Sequence, residues 1–321
     1  MGYGSYSHAA HTALVAGRSG RPREAVFAQR GCHNLMNPKG VKWRECRDSA
    51  EHPSTVPIAF ALDVTGSMGA IPDLLARKEL PSFMKILGQL GVADPEVLFM
   101  AVGDATCDSA PLQVGQFEAT AELMDQWLTY SYLEGRGGGQ GTESYELALY
   151  FLAEHTMLDA VERRSHPGYA FVTGDELPYP AVSRFQVEAI IGDRLDEDIP
   201  TEQVIAAVSR QYRPFFLIPG LDRRNRCEDG WRALLGDHVI AMEGPDDTCY
   251  VAAGIIGIGE GLVADVDALG KLLGAAGAPK ERVSATVRAL TPYAQTLGRD
   301  GAPSPRGMAE AARNLWRSLS S

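Results

Sequence analysis

Several absences narrow the reading. No apolar stretch approaches the ~18 residues needed to cross a bilayer, and no basic segment leads into an apolar one near the start, as in a secretory signal. The expectation is therefore a soluble cytoplasmic protein without a membrane partner. Position six is Tyr6, which spoils the opening Met-Gly as a myristoylation signal. Cysteine is sparse: five residues, at 32, 46, 107, 227 and 249, with no C-x-x-C pair. An odd set without regular spacing makes no disulfide framework, so reduced thiols are expected. Positive charge is also short. The formal net charge is −11, which argues against a nucleic-acid binder, because phosphate contacts need clustered Lys and Arg.

What is present is ordinary for a globular chain. Hydrophobic residues make up 45% and charged residues 22% of the 321, enough for a sizeable core. The charge is uneven. Residues 1–50 hold eight Lys or Arg against three Asp or Glu, a net of +5, so the rest carries −16. A basic arm on an acidic body either grips a partner or lies on its own body, and packing on itself is the simpler expectation.

Three regions follow. Residues 1–54 lack sustained periodicity, are rich in Gly, Arg, His and Asn, and carry the turn signal Asn37-Pro38-Lys39-Gly40, so they read as an irregular basic arm. Residues 55–260 alternate strands with helices. Val56–Leu62 is an unbroken apolar run ending in Asp63, the pattern of a strand buried on both faces. Further strands are expected at 97–102, 112–114 (a short edge), 169–173, 215–218 and 238–242. Helices are expected at 71–90, 118–132, 143–155, 181–191, 202–212, 226–235 and 247–258. This alternation implies an α/β doubly wound, mostly parallel sheet flanked by helices. Residues 261–321 read as a C-terminal helical extension, with one or two helices over 262–296 and a last amphipathic segment around Leu315 and Trp316.

The chemistry centres on Asp63-Val64-Thr65-Gly66-Ser67-Met68-Gly69, directly after the first buried strand. In doubly wound sheets, ligands sit outside the carboxyl ends of the strands. Asp63 offers an anionic oxygen there, Thr65 and Ser67 offer hydroxyls, and Gly66 and Gly69 permit a tight turn. Asp63, Thr65 and Ser67 resemble the D-x-[S/T]-x-S motif of von Willebrand factor type A domains, the family of the integrin inserted domains, whose metal-ion-dependent adhesion site also draws a Thr from a second loop and an Asp from a third. Thr142, after the glycine run Gly135–Gly141, stands at the second place, and Asp175, after a buried strand, at the third. The resemblance covers about residues 55–260. It departs from the usual Thr-Asp-Gly at the third loop, where Thr173-Gly174-Asp175-Glu176 is shifted by one residue and leaves Glu176 as a register alternative. Glu143 and Ser144 compete with Thr142, and Asp104, after the second long strand, is either a supporting acid or a turn cap with Thr106 and Asp108.

The resemblance implies Mg²⁺, with Mn²⁺ or Ca²⁺ as alternatives, held by few carboxylates and several hydroxyls. It further implies that an Asp or Glu of a partner protein completes the coordination. Intracellular relatives often serve AAA+ ATPases or multi-protein assemblies, so a partner of that kind is an expectation. Catalysis is not expected. The competing readings are a metal-dependent hydrolase, for which Glu176 is the nearest candidate base, and a metal that only stiffens the loops. A haloacid-dehalogenase-type phosphotransferase needs D-x-D, and position 65 is Thr. Gly135–Gly141 lacks the Lys-Ser or Lys-Thr of a phosphate loop. Gly254–Gly259 is misplaced for a dinucleotide loop. Cys32, His33, Cys46 and His52 fit no standard zinc spacing. Cys107 has no His partner in view.

Overall fold

The computed structural model describes residues 4–135 and 141–300; the tail with Leu315 and Trp316, and most of the glycine run, lie outside the described residues. Six strands form the central sheet: β1 (Val56–Asp63), β2 (Pro95–Val102), β3 (Leu112–Val114), β4 (Gly168–Thr173), β5 (Tyr212–Ile218) and β6 (Val239–Ala241). Their spatial order is β6-β5-β4-β1-β2-β3. All neighbours are parallel except β3, which runs antiparallel to β2 at the edge. The fold is therefore α/β and Rossmann-like. Its chain order reverses at β1, which builds outward to β2 on one side while β4 docks on the other. The crevice between the carboxyl ends of β1 and β4 is thus a topological switch point, the usual place for a ligand in such sheets.

Every residue of β1 is buried, which is why it reads as an apolar run without alternation. Its two faces feed two cores. Ile58, Phe60 and Leu62 pack with Phe83, Phe99, Phe171, Phe215 and the helices Leu80–Leu90 and Thr248–Gly259. The Phe60 ring sits 5.4 Å from Phe83 and 5.3 Å from Phe171, centroid to centroid. Ala59 and Ala61 face the other layer, with Tyr145, Leu149, Phe216 and Trp231.

Several helices are shorter than the sequence suggests. The 118–132 segment is helical over Ala121–Thr129, because Thr120 caps it by accepting from the Leu123 amide. The 202–212 segment ends at Val208, since Tyr212 already belongs to β5. The 143–155 helix begins at Tyr145, because Thr142–Glu143 is paired in parallel with Leu177–Pro178. The Gly254–Gly259 run lies in a helix, where Gly254 meets Leu269 and Leu290 and Gly257 meets Leu90.

The first 54 residues are more regular than expected. Ser7 caps a helix over His8–Ala16, and Arg44–Cys46 pairs in parallel with Thr156–Leu158. That helix buries only His11, so it carries no apolar stripe for a periodicity reading to find. The arm's charge faces the body: Arg18 pairs with Asp125, and Arg47 donates to Asp159 at 2.8 Å and Glu162 at 2.9 Å. Beyond residue 260, helices Val266–Ala275 and Lys280–Asp300 follow, and their Leu269, Leu273 and Leu290 join the Phe60 core. Among the described residues, no helix is long and apolar enough to cross a membrane.

Candidate functional site

The switch point collects acids. Asp63 is the last residue of β1 and is fully buried. Its Oδ1 accepts from the Thr65 amide at 2.8 Å and from the Thr65 hydroxyl at 2.7 Å. The loop turns at Gly66 (φ +40°), a left-handed conformation suited to glycine, and enters a short 3-10 turn over Gly66–Gly69. The side chain of Ser67 lies outside what the structure describes. The other oxygen of Asp63, Oδ2, accepts from the Tyr145 hydroxyl at 2.6 Å.

Tyr145 is one of the residues that the sequence pattern does not single out. It opens the helix Tyr145–Glu154, is fully buried, and lies edge-on to Phe216 and Trp231 at 5.5 and 5.8 Å. Burial and the Asp63 charge hold its phenol well above the ordinary tyrosine range. Its hydroxyl fits because residue 174 is glycine: a Cβ there would overlap the phenol oxygen. The glycine in Thr173-Gly174-Asp175 thereby acquires a physical reason. The glycine stands where the phenol must pass, and the acid comes one residue later.

Asp175 follows β4 and is nearly buried. Its Oδ2 accepts from Arg223 at 2.7 Å and Arg226 at 2.9 Å, and its charge reaches Asp63. Glu176 is half-buried; its main-chain oxygen accepts from the Trp231 indole at 2.9 Å. From the second loop, Glu143 is the buried side chain that meets the cluster, at 2% exposure, and its Oε2 has no hydrogen-bond partner. Thr142 is half-buried, with its backbone paired to Leu177. Ser144 accepts from the Ala105 amide at 2.9 Å and so ties the second loop to the loop after β2.

Asp104 lies in that loop and is fully buried. Its Oδ1 caps the turn by accepting from the Thr106 amide and hydroxyl, both at 2.8 Å, and its charge acts on Glu143. Tyr179 also donates to it, at 3.1 Å. Glu146, not singled out from sequence, lies beside it, fully buried, with Oε2 accepting from the Tyr179 amide and Oε1 without a partner.

The electrostatics follow from crowding acids in a buried crevice. Burial pushes Asp63 up to about 7, opposed by the Tyr145 and Thr65 hydrogen bonds and assisted by the Asp175 charge. Burial, then the charges of Asp63, Glu176 and Asp104, push Glu143 up to about 9. Burial and Asp175 raise Glu176. Hard oxygens from three loops and an unpartnered buried carboxylate oxygen suit a divalent cation of the Mg²⁺, Mn²⁺ or Ca²⁺ kind. Among the described residues, no three His, Cys, Asp or Glu side chains converge as a cage.

The zinc candidates are held by other contacts, and Cys107 lies in the Asp104 loop. Cys32 points its thiol at the His33 carbonyl, His33 stacks on Tyr130 at 3.9 Å, Cys46 is fully buried, and His52 contacts the Gly4 carbonyl and Asp94. Cys107 is exposed, and its thiol is pushed up to about 11 by local burial and the charges of Asp104 and Asp108, which suppresses a thiolate.

No family model and no curated protein matches the chain. Among solved structures, 55 chains match. Two are crystal structures of the pilus adhesin SpaC from Lactobacillus rhamnosus GG, one of them in its open conformation. The first is 11% identical, covering 68% of this chain and 32% of that one, with a TM-score of 0.42. The second is 10% identical, covering 73% and 31%, also with a TM-score of 0.42. The chain thus spans about a third of the length of those structures, and at that score the likeness carries no argument about what it does.

Proposed function

We propose that this protein is a metal-dependent recognition domain of the von Willebrand factor type A kind, whose cation is completed by an Asp or Glu of a partner protein. One observation carries the reading. Asp63, at the end of β1, is within electrostatic reach of both Glu143 and Asp175, which come from two other segments, and Glu143 keeps a buried oxygen without a partner. A buried carboxylate oxygen left unpaired is costly, and a cation removes the cost.

In this reading, Asp63, Thr65, Ser67, Thr142 and Asp175 surround the cation. Glu143 joins them from the second loop, while Asp104 and Glu176 stand behind. Tyr145 fixes the orientation of the Asp63 carboxylate. The cation supplies an electropositive point that attracts a further acid. Recognition is favoured over hydrolysis because the nearest acids are already committed. Asp104 caps a turn and receives Tyr179, and Asp175 is held by two arginines. Glu176, half-buried beside Asp175, is the candidate base in the hydrolase reading.

The test is calorimetric titration of Mg²⁺ and Mn²⁺ into metal-stripped protein, wild type beside Asp63→Ala. Binding in the wild type that vanishes in the variant is the expected result. Equal binding in both would place the cation elsewhere and end the proposal.

A further inference from the structure

Arg223 and Arg226 take an unusual position in this acidic crevice. Both donate through Nη1 to the same oxygen, Asp175 Oδ2, at 2.7 and 2.9 Å. A carboxylate oxygen has two lone-pair directions, and here both are used. Arg223 also reaches the Met68 sulfur, at 3.2 Å, so it spans from the third loop to the first. The two differ in freedom: the Arg223 side chain is 22% exposed, and that of Arg226 is 62% exposed.

We propose that Arg226 is a displaceable counter-ion that competes with the cation for Asp175, and so sets how tightly the site loads. The inference rests on the cation site proposed above. With both lone pairs of Oδ2 turned to arginine, a cation is left with Oδ1 alone and loses a bidentate hold on Asp175. In addition, a second positive charge entering the crevice is repelled by guanidiniums held against Asp175. Arg226 leaves at lowest cost, because most of its side chain is already in water, whereas Arg223 stays packed beside Met68. The loaded site therefore frees a guanidinium at its rim. A planar guanidinium suits the second oxygen of an arriving carboxylate.

The experiment titrates Mg²⁺ alone into the metal-stripped full chain at physiological salt, comparing wild type, Arg226→Gln, Arg226→Lys and Arg224→Gln. Arg224 is the control. It lies two residues away and pairs with Glu228 instead of Asp175, so it removes the same charge without freeing Oδ2. Distant charge effects are damped at that ionic strength. Competition predicts that Arg226→Gln binds Mg²⁺ at least about threefold more tightly, the scale of one partly exposed ion pair. Arg224→Gln should leave the constant unchanged, and Arg226→Lys should fall between. Binding by Arg226→Gln where the wild type binds nothing would support the inference still more strongly. Equal tightening by Arg224→Gln would overturn it in favour of a general field effect. A wild type that binds Mg²⁺ with the same constant as Arg226→Gln overturns it while leaving the cation site standing. Absence of binding in every protein overturns both.

Discussion

The Tyr145 hydroxyl donates to Asp63 Oδ2 at 2.6 Å through space that residue 174 leaves empty, since a Cβ there would overlap the phenol oxygen. Three segments far apart in sequence thus fix one carboxylate: the end of β1, the start of the Tyr145–Glu154 helix, and the loop after β4. The other oxygen of Asp63 is taken by Thr65. The carboxylate is held in one orientation before any ligand arrives.

Tyr145→Phe should therefore cost stability as well as Mg²⁺ binding. It removes a charge-assisted donor from a fully buried acid, worth about 1–3 kcal/mol. Gly174→Ala should cost about as much by forcing the phenol aside. Urea unfolding of each variant measures the loss. A Tyr145→Phe midpoint equal to that of the wild type would show that the hydrogen bond contributes nothing.

Glu143→Gln is expected to do the opposite in metal-free protein. It replaces a buried acid, crowded by Asp63, Glu176 and Asp104, with a neutral amide of the same shape. Relief of that crowding should stabilise by about 1–3 kcal/mol. The same change should weaken Mg²⁺ binding, since an anionic oxygen is lost. Melting in EDTA and calorimetry in Mg²⁺ read the two effects separately. A variant that is less stable in EDTA would mean that Glu143 is satisfied in the metal-free state.

The sheet and the position of Asp63 were legible because a strand buried on both faces writes itself as an apolar run, and its end is where a parallel sheet places chemistry. Val56–Asp63 and Gly168–Thr173 both show this. Thr65 lies two residues from Asp63 and bonds it, a contact within reach of any local reading. Tyr145 was not legible, because an aromatic residue at the start of an apolar helix looks like any core residue, and only Gly174 distinguishes it. Arg223 and Arg226 were equally hidden. Their partner lies 48 and 51 residues back, across four strands and two helices, and no periodicity links positions so separated. The helix at His8–Ala16 escaped because it buries one residue and shows no stripe.

His11 should make the protein acid-sensitive. It is fully buried beneath the arm, with Tyr6 at 3.0 Å, and burial lowers its pKa to about 4, with Asp125 partly opposing and Arg18 and His8 assisting. Unfolded, it takes up a proton near 6.5. Between those values the unfolded state binds more protons than the folded state, so stability falls as pH drops below 6.5 and levels off near 4. At pH 5 the loss from this group is about 2 kcal/mol relative to neutral pH. His11→Leu should remove that part of the slope. Urea midpoints at pH 7.5 and pH 5 for both proteins give the comparison, and an unchanged slope in the variant would assign the acid sensitivity to other groups.

Arg18 ties the arm to the body through a largely buried ion pair. Its guanidinium meets Asp125 with two nitrogens and also donates to the Ala76 carbonyl at 2.9 Å, and both ion-pair partners are mostly buried. Removing one member of a buried pair strands the other charge, which costs about 3 kcal/mol or more. Arg18→Ala should therefore do more than lower the melting temperature. Because Asp125 also acts on His11 and Arg77 donates to the Arg18 carbonyl, the helix His8–Ala16 should detach locally before the sheet melts. Limited proteolysis reads this directly. Early cuts within residues 4–30 of the variant, with the β1–β6 body intact, would show that the basic arm is held by its own acidic body. Uniform protection of the arm in the variant would mean that its hold comes from the other contacts, such as Arg47 with Asp159 and the paired strand Arg44–Cys46.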